Sequence, residues 1–289
     1  MATLAFSVDY YRAKYGDLSH LSAKEAEAHF IEFGIREGRV GSMGGLREEL
    51  VQRAPRNLPV LELGPFANPA LRGTNIRYAD VLSTTQLRVR AVDCGLDPAG
   101  CPEIHYVLAH FDLSRIADKF SAVFSSHCIE HQPDLVRHLQ SVEILLADQG
   151  QYLLIIPDKR YCFDHFLPET SIADIMTAYV RNQQVHEVGS IIEHWALTTH
   201  NETERHWNGD HGQPHICKTM EPLTRALREY QADPMRYFDV HAWQFTPISF
   251  LDLILLLNEL GLTTLSPVEV HNTPWGRNEF CAILEKRSS

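Results

Sequence analysis

The stretch Val60-Leu61-Glu62-Leu63-Gly64-Pro65 is followed at positions 78–80 by Tyr78-Ala79-Asp80. An apolar strand thus runs into a tight turn, and an acid stands sixteen residues after Gly64. This is how an α/β sheet builds a nucleoside pocket at the carboxyl ends of its first two strands. The turn is not that of a dinucleotide site, where repeated glycines bring backbone and a helix N-terminus against a pyrophosphate. Here Phe66 and Asn68 stand where further glycines would be, and Pro65 and Pro69 stiffen the loop. The ligand suited to such a turn carries a nucleoside without a pyrophosphate.

Outward from this turn, strands and helices alternate. The expected strands are Val60–Leu63, Ile76–Ala79, Ile104–Leu108, Ala122–Ser125 and Tyr152–Ile156. The last two are short apolar runs, as strands buried on both faces require. Leu135, Leu139, Val142, Leu145 and Leu146 recur at helical spacing, and Asp148-Gln149-Gly150 is expected to end that helix. Thr246-Pro247-Ile248-Ser249 predicts a helix start, with Thr246 as N-cap and proline in the first turn. That helix should run to Gly261, and Thr264–Val270 and Glu279–Glu285 should add two closing strands. Residues from about 160 to 240 break the alternation. They are rich in His, Trp and charge, and are expected to lie as an insertion over the carboxyl edge of the sheet.

Residues 1–50 form a separate helical expectation ahead of a main domain spanning 51–289. Ala26, Phe30 and Phe33 share one helical face, and Gly41, Gly44 and Gly45 predict a flexible joint.

Composition narrows the function. At 44% hydrophobic and 22% charged residues the chain can bury a sizeable core. Its net charge of −11 opposes a broad nucleic-acid surface, which needs clustered cations. The apolar run Leu251–Leu262 is interrupted by Asp252, Asn258 and Glu259, so no membrane span is expected. Phe6-Ser7-Val8-Asp9 meets an acid too early for a secretory leader. Six scattered cysteines without a C-x-x-C pair suit reduced thiols and a cytoplasmic setting.

Taken together, Glu62-Leu63-Gly64, Asp80, Asp112, the run Ser125-Ser126-His127-Cys128-Ile129-Glu130-His131, and Gly150 before Leu153-Leu154-Ile155-Ile156-Pro157 resemble a class I S-adenosylmethionine (SAM)-dependent methyltransferase. The run Pro157-Asp158-Lys159-Arg160-Tyr161-Cys162-Phe163-Asp164-His165-Phe166 resembles a bacterial subgroup associated with polysaccharide and glycosyltransferase loci. The segment from Asp9 to Arg39 resembles a helical module found beside glycosyltransferases, which implies a glycosyltransferase partner for residues 1–40. The resemblance implies a Rossmann-like α/β sheet of six parallel strands and one antiparallel strand. It implies SAM as cofactor, held by Glu62, Gly64, Phe66, Asp80, Phe111, Asp112, Ser126 and His127. Asp112 also precedes Leu113-Ser114 and reads equally well as a helix cap.

A hydroxyl acceptor needs a base, and the expected bases are His165, with Asp158 or Asp164 orienting it or gripping the acceptor, and His131 as the second choice. Lys159, Arg160, Tyr161 and Asp164 are expected to grip a sugar or glycan acceptor, with His206, Trp207, Asp210, His211 and His241 forming its walls. The expected activity is O-methylation of an intermediate of surface polysaccharide synthesis. His186, His194, His200, His206, His211 and His215 crowd into thirty residues without any H-E-x-x-H spacing, so no metal is expected. Two other readings use the same residues: a non-catalytic module of this fold that recruits a glycosyltransferase, and a metal-dependent enzyme built on the His-rich insertion.

Overall fold

The computed structural model describes residues 3–287. Met1, Ala2, Ser288 and Ser289, which the expected domain limits include, lie outside the described residues. One sheet of seven strands organises the molecule: β1 (Val60–Leu63), β2 (Ile76–Asp80), β3 (Tyr106–Val107), β4 (Phe120–Ser126), β5 (Leu146–Pro157), β6 (Leu265–Val270) and β7 (Glu279–Lys286). Their order is β3-β2-β1-β4-β5-β7-β6, and β7 runs antiparallel to both of its neighbours. Six strands therefore point one way and one against them, the Rossmann-like arrangement expected. Strand order reverses between β1 and β4, which opens a crevice at their carboxyl ends.

The helices are α1 (Val8–Lys14), α2 (Ala23–His29), α3 (Arg47–Arg53), α4 (Thr84–Asp93), α5 (Leu135–Leu145), α6 (Ile172–Arg181), α7 (Val188–Ile192), α8 (Thr203–Trp207), α9 (Glu221–Ala232) and α10 (Pro247–Glu259). Local chemistry starts several of them. Ser83 and Gln86 form a capping box at α4, and Thr246 and Ser249 do so at α10, with Pro247 in its first turn. The central strands β1, β4 and β5 supply buried Leu61, Val123, Phe124, Leu153 and Ile155 to the core on both faces of the sheet. No described helix is long and apolar enough to cross a membrane.

Three local expectations need correction. The helix α5 ends at Leu145 and β5 begins at Leu146, so Asp148-Gln149-Gly150 lies within a strand. Leu146 pairs with Phe120 in the sheet, and left-handed Gln149 (φ 59°) takes up the register shift between the Phe120 and Ala122 pairings. The third strand is only Tyr106–Val107; ahead of it the His105 Nδ1 accepts the Tyr78 backbone N–H and the His105 backbone N–H donates to the Tyr78 carbonyl. The Gly41–Gly45 stretch is a packed corner, not a flexible joint. A Cβ on Gly41 would stand 2.5 Å from the Ala5 carbonyl oxygen and 2.7 Å from the Phe30 ring.

The first helices pack onto the same core as the sheet. Tyr11, Ala26 and Phe30 are buried in one apolar cluster with Leu61, Val123 and Val270. Backbone bonds from Ala5 to Val270 and from Trp275 to Gly38 tie this segment to the end of β6 and the loop after it.

Candidate active site

A cavity of about 350 Å³ lies over the carboxyl ends of β1, β2 and β4. Its size falls in the range of small-molecule sites, roughly 300–1,000 Å³. Gly64, Phe66, Asp80, Phe111, Ser126 and His127 line it, and so does His131. The far wall comes from His186, Tyr237 and Asp239, contributed by the insertion. Arg90 of α4 pairs with Asp239 and so joins the sheet side of the cavity to the insertion.

The backbone at this site is unusual. Among the described residues, five non-glycine residues have positive φ, and three of them, Phe66 (45°), Phe111 (56°) and His127 (50°), line the cavity. Left-handed backbone disfavours residues with a Cβ, and it concentrates where surrounding structure holds a functional shape. Gly64 (φ 63°) precedes them. A Cβ there would meet nothing nearer than Cys128 Sγ at 3.6 Å, so its glycine is needed for conformation more than for space.

Asp80 is 6% exposed. Burial raises its pKa to about 6, although its Oδ1 accepts the Leu82 N–H at 2.9 Å. Glu62 sits beneath the turn, and it does not line the cavity. Its carboxylate accepts the N–H groups of Ala70 and Leu71 at 2.7 and 2.9 Å, which shapes the loop after β1, while burial raises its pKa to about 7. Asp112 accepts from Ser114 N and Oγ at 3.2 and 2.6 Å, the helix-cap geometry; it lies outside this cavity, in an adjoining groove.

At the end of β4 the His127 Nε2 bonds Glu279 Oε2 at 2.7 Å. Arg47 from α3 donates to both oxygens of Glu279, at 2.8 and 2.6 Å, and to Ser126 Oγ at 2.9 Å. Burial opposes the charge on Glu279, but the bonds from His127 and Arg47 prevail and hold its pKa down to about 2. His131 lies nearby with its pKa pushed well down, first by burial and then by His241 and other histidines. Its ring lies 4.7 Å from that of His241, edge to face.

The remaining expected acceptor residues lie apart from this cavity. Asp158 is fully buried, bonds Arg160 and accepts the Thr273 hydroxyl at 2.6 Å, which makes it a strand-end cap. His165 Nδ1 bonds the Arg160 carbonyl at 2.8 Å, and its ring stacks on His211 at 3.6 Å. Lys159 donates to the His165 carbonyl. Tyr161 stacks on Trp207 at 3.7 Å, and Asp210 pairs with Arg205. His206 bonds His211 and the His200 carbonyl. Their polar atoms are largely spent on holding the insertion's own loops together. Asp164 and His241 form a buried pair, Oδ2 to Nδ1 at 2.6 Å, directly behind His131. Burial opposes charge on His241, yet Asp164 and Glu130 outweigh it and raise its pKa.

Sequence reasoning did not select Arg47, Arg90, Tyr237 or Glu279, and it met His186 and Asp239 only within the histidine cluster and the run Asp239–Trp243. Asp239 and Glu279 carried a faint signal, in Asp239-Val240-His241 and at the first residue of the last strand. The others are single residues brought in by tertiary contacts.

No protein-family model matches this chain, and no curated protein matches it. Solved structures do. The CurJ carbon methyltransferase matches at 12% identity over 82% of this chain and 51% of that chain, TM-score 0.39, so the chain spans about half of that structure's length. The Burkholderia thailandensis 1,6-didemethyltoxoflavin-N1-methyltransferase, with bound 1,6-didemethyltoxoflavin and S-adenosylhomocysteine, matches at 13% identity over 100% of this chain and 93% of that one, TM-score 0.42. A SAM-dependent methyltransferase from Aquifex aeolicus matches at 10% identity over 84% and 90%, TM-score 0.41. Each is a distant likeness.

Proposed function

We propose that this protein is a SAM-dependent O-methyltransferase acting on a hydroxyl of a small, polar, sugar-like acceptor. The observation that carries the reading is the cavity at the β1/β4 switch point, with a left-handed glycine turn on one side and buried Asp80 at the end of β2 on the other. A nucleoside fits between them: the ribose hydroxyls would donate to Asp80, and the open face of Gly64 would take the amino-acid end. Bound SAM would supply a methyl group on sulfur, whose C–S bond breaks, leaving its electron pair on sulfur, as the acceptor oxygen bonds to carbon.

The chain's own part is to position the acceptor and take its proton. His127 is the base in this reading, in place of His165. It lines the cavity, and Glu279 holds its Nε2 so that the ring is fixed in one orientation. Glu279 stays ionised, so it also stabilises the imidazolium that forms when the hydroxyl proton arrives. Tyr237, His186 and Asp239 offer hydrogen-bonding groups to further hydroxyls of the acceptor. Alignment of oxygen and methyl group supplies much of such a rate, about 7–11 kcal/mol in well-oriented systems.

The test is product formation. The protein is incubated with SAM and a panel of sugars, amino sugars, sugar nucleotides, simple diols, amines and activated-carbon acceptors, and products are read by mass spectrometry. A sugar that gains one methyl group on oxygen supports the proposal. Methylation confined to amine or carbon acceptors would overturn the hydroxyl assignment.

A further inference from the structure

Three ring nitrogens converge on one carboxylate oxygen buried beneath the cavity. Glu130 Oε1 lies 3.7 Å from His131 Nε2, 3.8 Å from His241 Nε2 and 3.8 Å from His127 Nδ1. Glu130 is 0% exposed, and neither of its carboxylate oxygens has a hydrogen-bond partner. At these separations the nitrogens are too far away to donate to it. A buried carboxylate without a partner is strongly unfavourable and rare in folded proteins.

The spacing that fails for hydrogen bonds suits an ion. The carboxylate oxygen and the two ring nitrogens of Glu130, His131 and His241 all lie within 4.8 Å of one another, close enough for one cation between them to approach ligand distances of about 2.0–2.2 Å with small side-chain shifts. The ligands are also held for the purpose. His241 Nδ1 donates to Asp164 Oδ2 at 2.6 Å, which turns Nε2 toward Glu130 and makes it the ring atom a cation would take in place of a proton. A carboxylate behind a histidine in this way fixes the tautomer of a metal ligand. Asp239 Oδ1 lies 3.2 Å from His131 Nδ1 on the other side. Backbone bonds from Ala242 and Trp243 to the Glu130 carbonyl, at 2.7 and 3.2 Å, hold the two segments together.

We propose that Glu130, His131 and His241 bind a divalent transition-metal cation just beneath the cavity, on its His131 side. Two imidazoles and a carboxylate suit zinc, iron or manganese. The three ligands leave coordination positions for other donors, and His131 and His127 line the cavity on that side. On the methyl-transfer reading, which this role rests on, a hydroxyl oxygen of the acceptor occupies such a position. The cation lowers the hydroxyl pKa and His127 receives the proton. The second histidine cluster, His165, His206 and His211, is close enough to hold an ion as well. Its rings are stacked, and His206 spends both nitrogens on His211 and the His200 carbonyl.

The protein is stripped of metal with EDTA and titrated by calorimetry with Zn²⁺ and, separately, with Mn²⁺. One site is expected in the wild type, weakened about a hundredfold in Glu130→Gln and about tenfold in Asp164→Asn, and unchanged in the double variant His165→Ala/His211→Ala. A wild type that binds neither cation, or binding that survives Glu130→Gln, overturns the site. Wild-type crystals grown with MnCl₂ need no variant. An anomalous peak bounded by Glu130, His131 and His241 is expected, and no peak there, or a peak only at His165, His206 and His211, overturns it. S-adenosylhomocysteine binding is measured alongside. Donor binding without cation binding defeats this inference alone, whereas cation binding without donor binding leaves the site standing and defeats the methyl-transfer reading.

Discussion

Arg47, on the third helix, grips Glu279, the first residue of the last strand, through two parallel bonds of 2.8 and 2.6 Å. The pair joins the N-terminal helices to the wall of the cavity. Planar, two-pronged contacts of this kind are among the stronger hydrogen bonds in proteins. Glu279 is nearly buried, so it depends on both Arg47 and His127.

The pH dependence of stability follows from this pair. Glu279 has its pKa lowered from 4.5 to about 2. Its contribution is therefore fully present above about pH 4.5 and is lost as pH falls through about 2. Arg47→Met should raise that pKa, move the acid-unfolding limb to higher pH, and cost about 1.5–3 kcal/mol at pH 7. Urea unfolding of both proteins between pH 2 and 7 checks this; superimposed acid limbs would show that Arg47 does not support Glu279.

Asp80 sets a different pH dependence. Its pKa is raised to about 6 in the free protein, mainly by burial. Accepting ribose hydroxyls favours the ionised form, so binding lowers that pKa. Donor affinity should then fall as pH drops below about 6, approaching tenfold per pH unit, and should be fullest above it. Asp80→Asn should bind more weakly at pH 7.5 and lose the dependence. Calorimetry with S-adenosylhomocysteine from pH 5 to 8 measures it, and a flat wild-type profile would remove Asp80 from the site.

The two histidines considered as bases predict opposite results. His127→Ala should lower kcat by about 10²–10⁴-fold. His165→Ala should leave kcat within about twofold, as its Nδ1 is bound to the Arg160 carbonyl and its ring is stacked on His211. Steady-state kinetics on a methylated acceptor decides between them.

The packed corner at Gly41 makes a stability prediction. A Cβ there stands 2.5 Å from the Ala5 carbonyl oxygen. Gly41→Ala should therefore cost about 1–3 kcal/mol through overpacking. At Gly64 a Cβ meets no close neighbour, and Gly64→Ala should cost about 1–2 kcal/mol from its left-handed backbone alone. Thermal unfolding compares them; an unchanged Tm in Gly41→Ala would restore the flexible joint.

Much of the fold was legible because buried parallel strands announce themselves as short apolar runs. Val60–Leu63 and the run into Ile129-Glu130-His131 needed no tertiary information. The site was legible only on the strand side, where Gly64, Asp80 and His127 follow directly from strand ends. The opposite wall was not. Arg47 lies 232 residues from its partner Glu279 in sequence, and no local pattern links them. Glu130 and His241 meet only because backbone bonds draw the loop after β4 against Ala242 and Trp243. The His-rich composition of the insertion also pointed to the wrong histidines. His165, His206 and His211 stack on one another, while His186 alone among the six clustered histidines reaches the cavity.

The most direct measurement is a crystal structure of the protein grown with excess S-adenosylhomocysteine. The account predicts density for the nucleoside between Gly64 and Phe111, with the ribose hydroxyls on Asp80 and the sulfur directed toward His127. A cavity closed by Phe66 and free of such density, under conditions where the ligand is saturating, would contradict it.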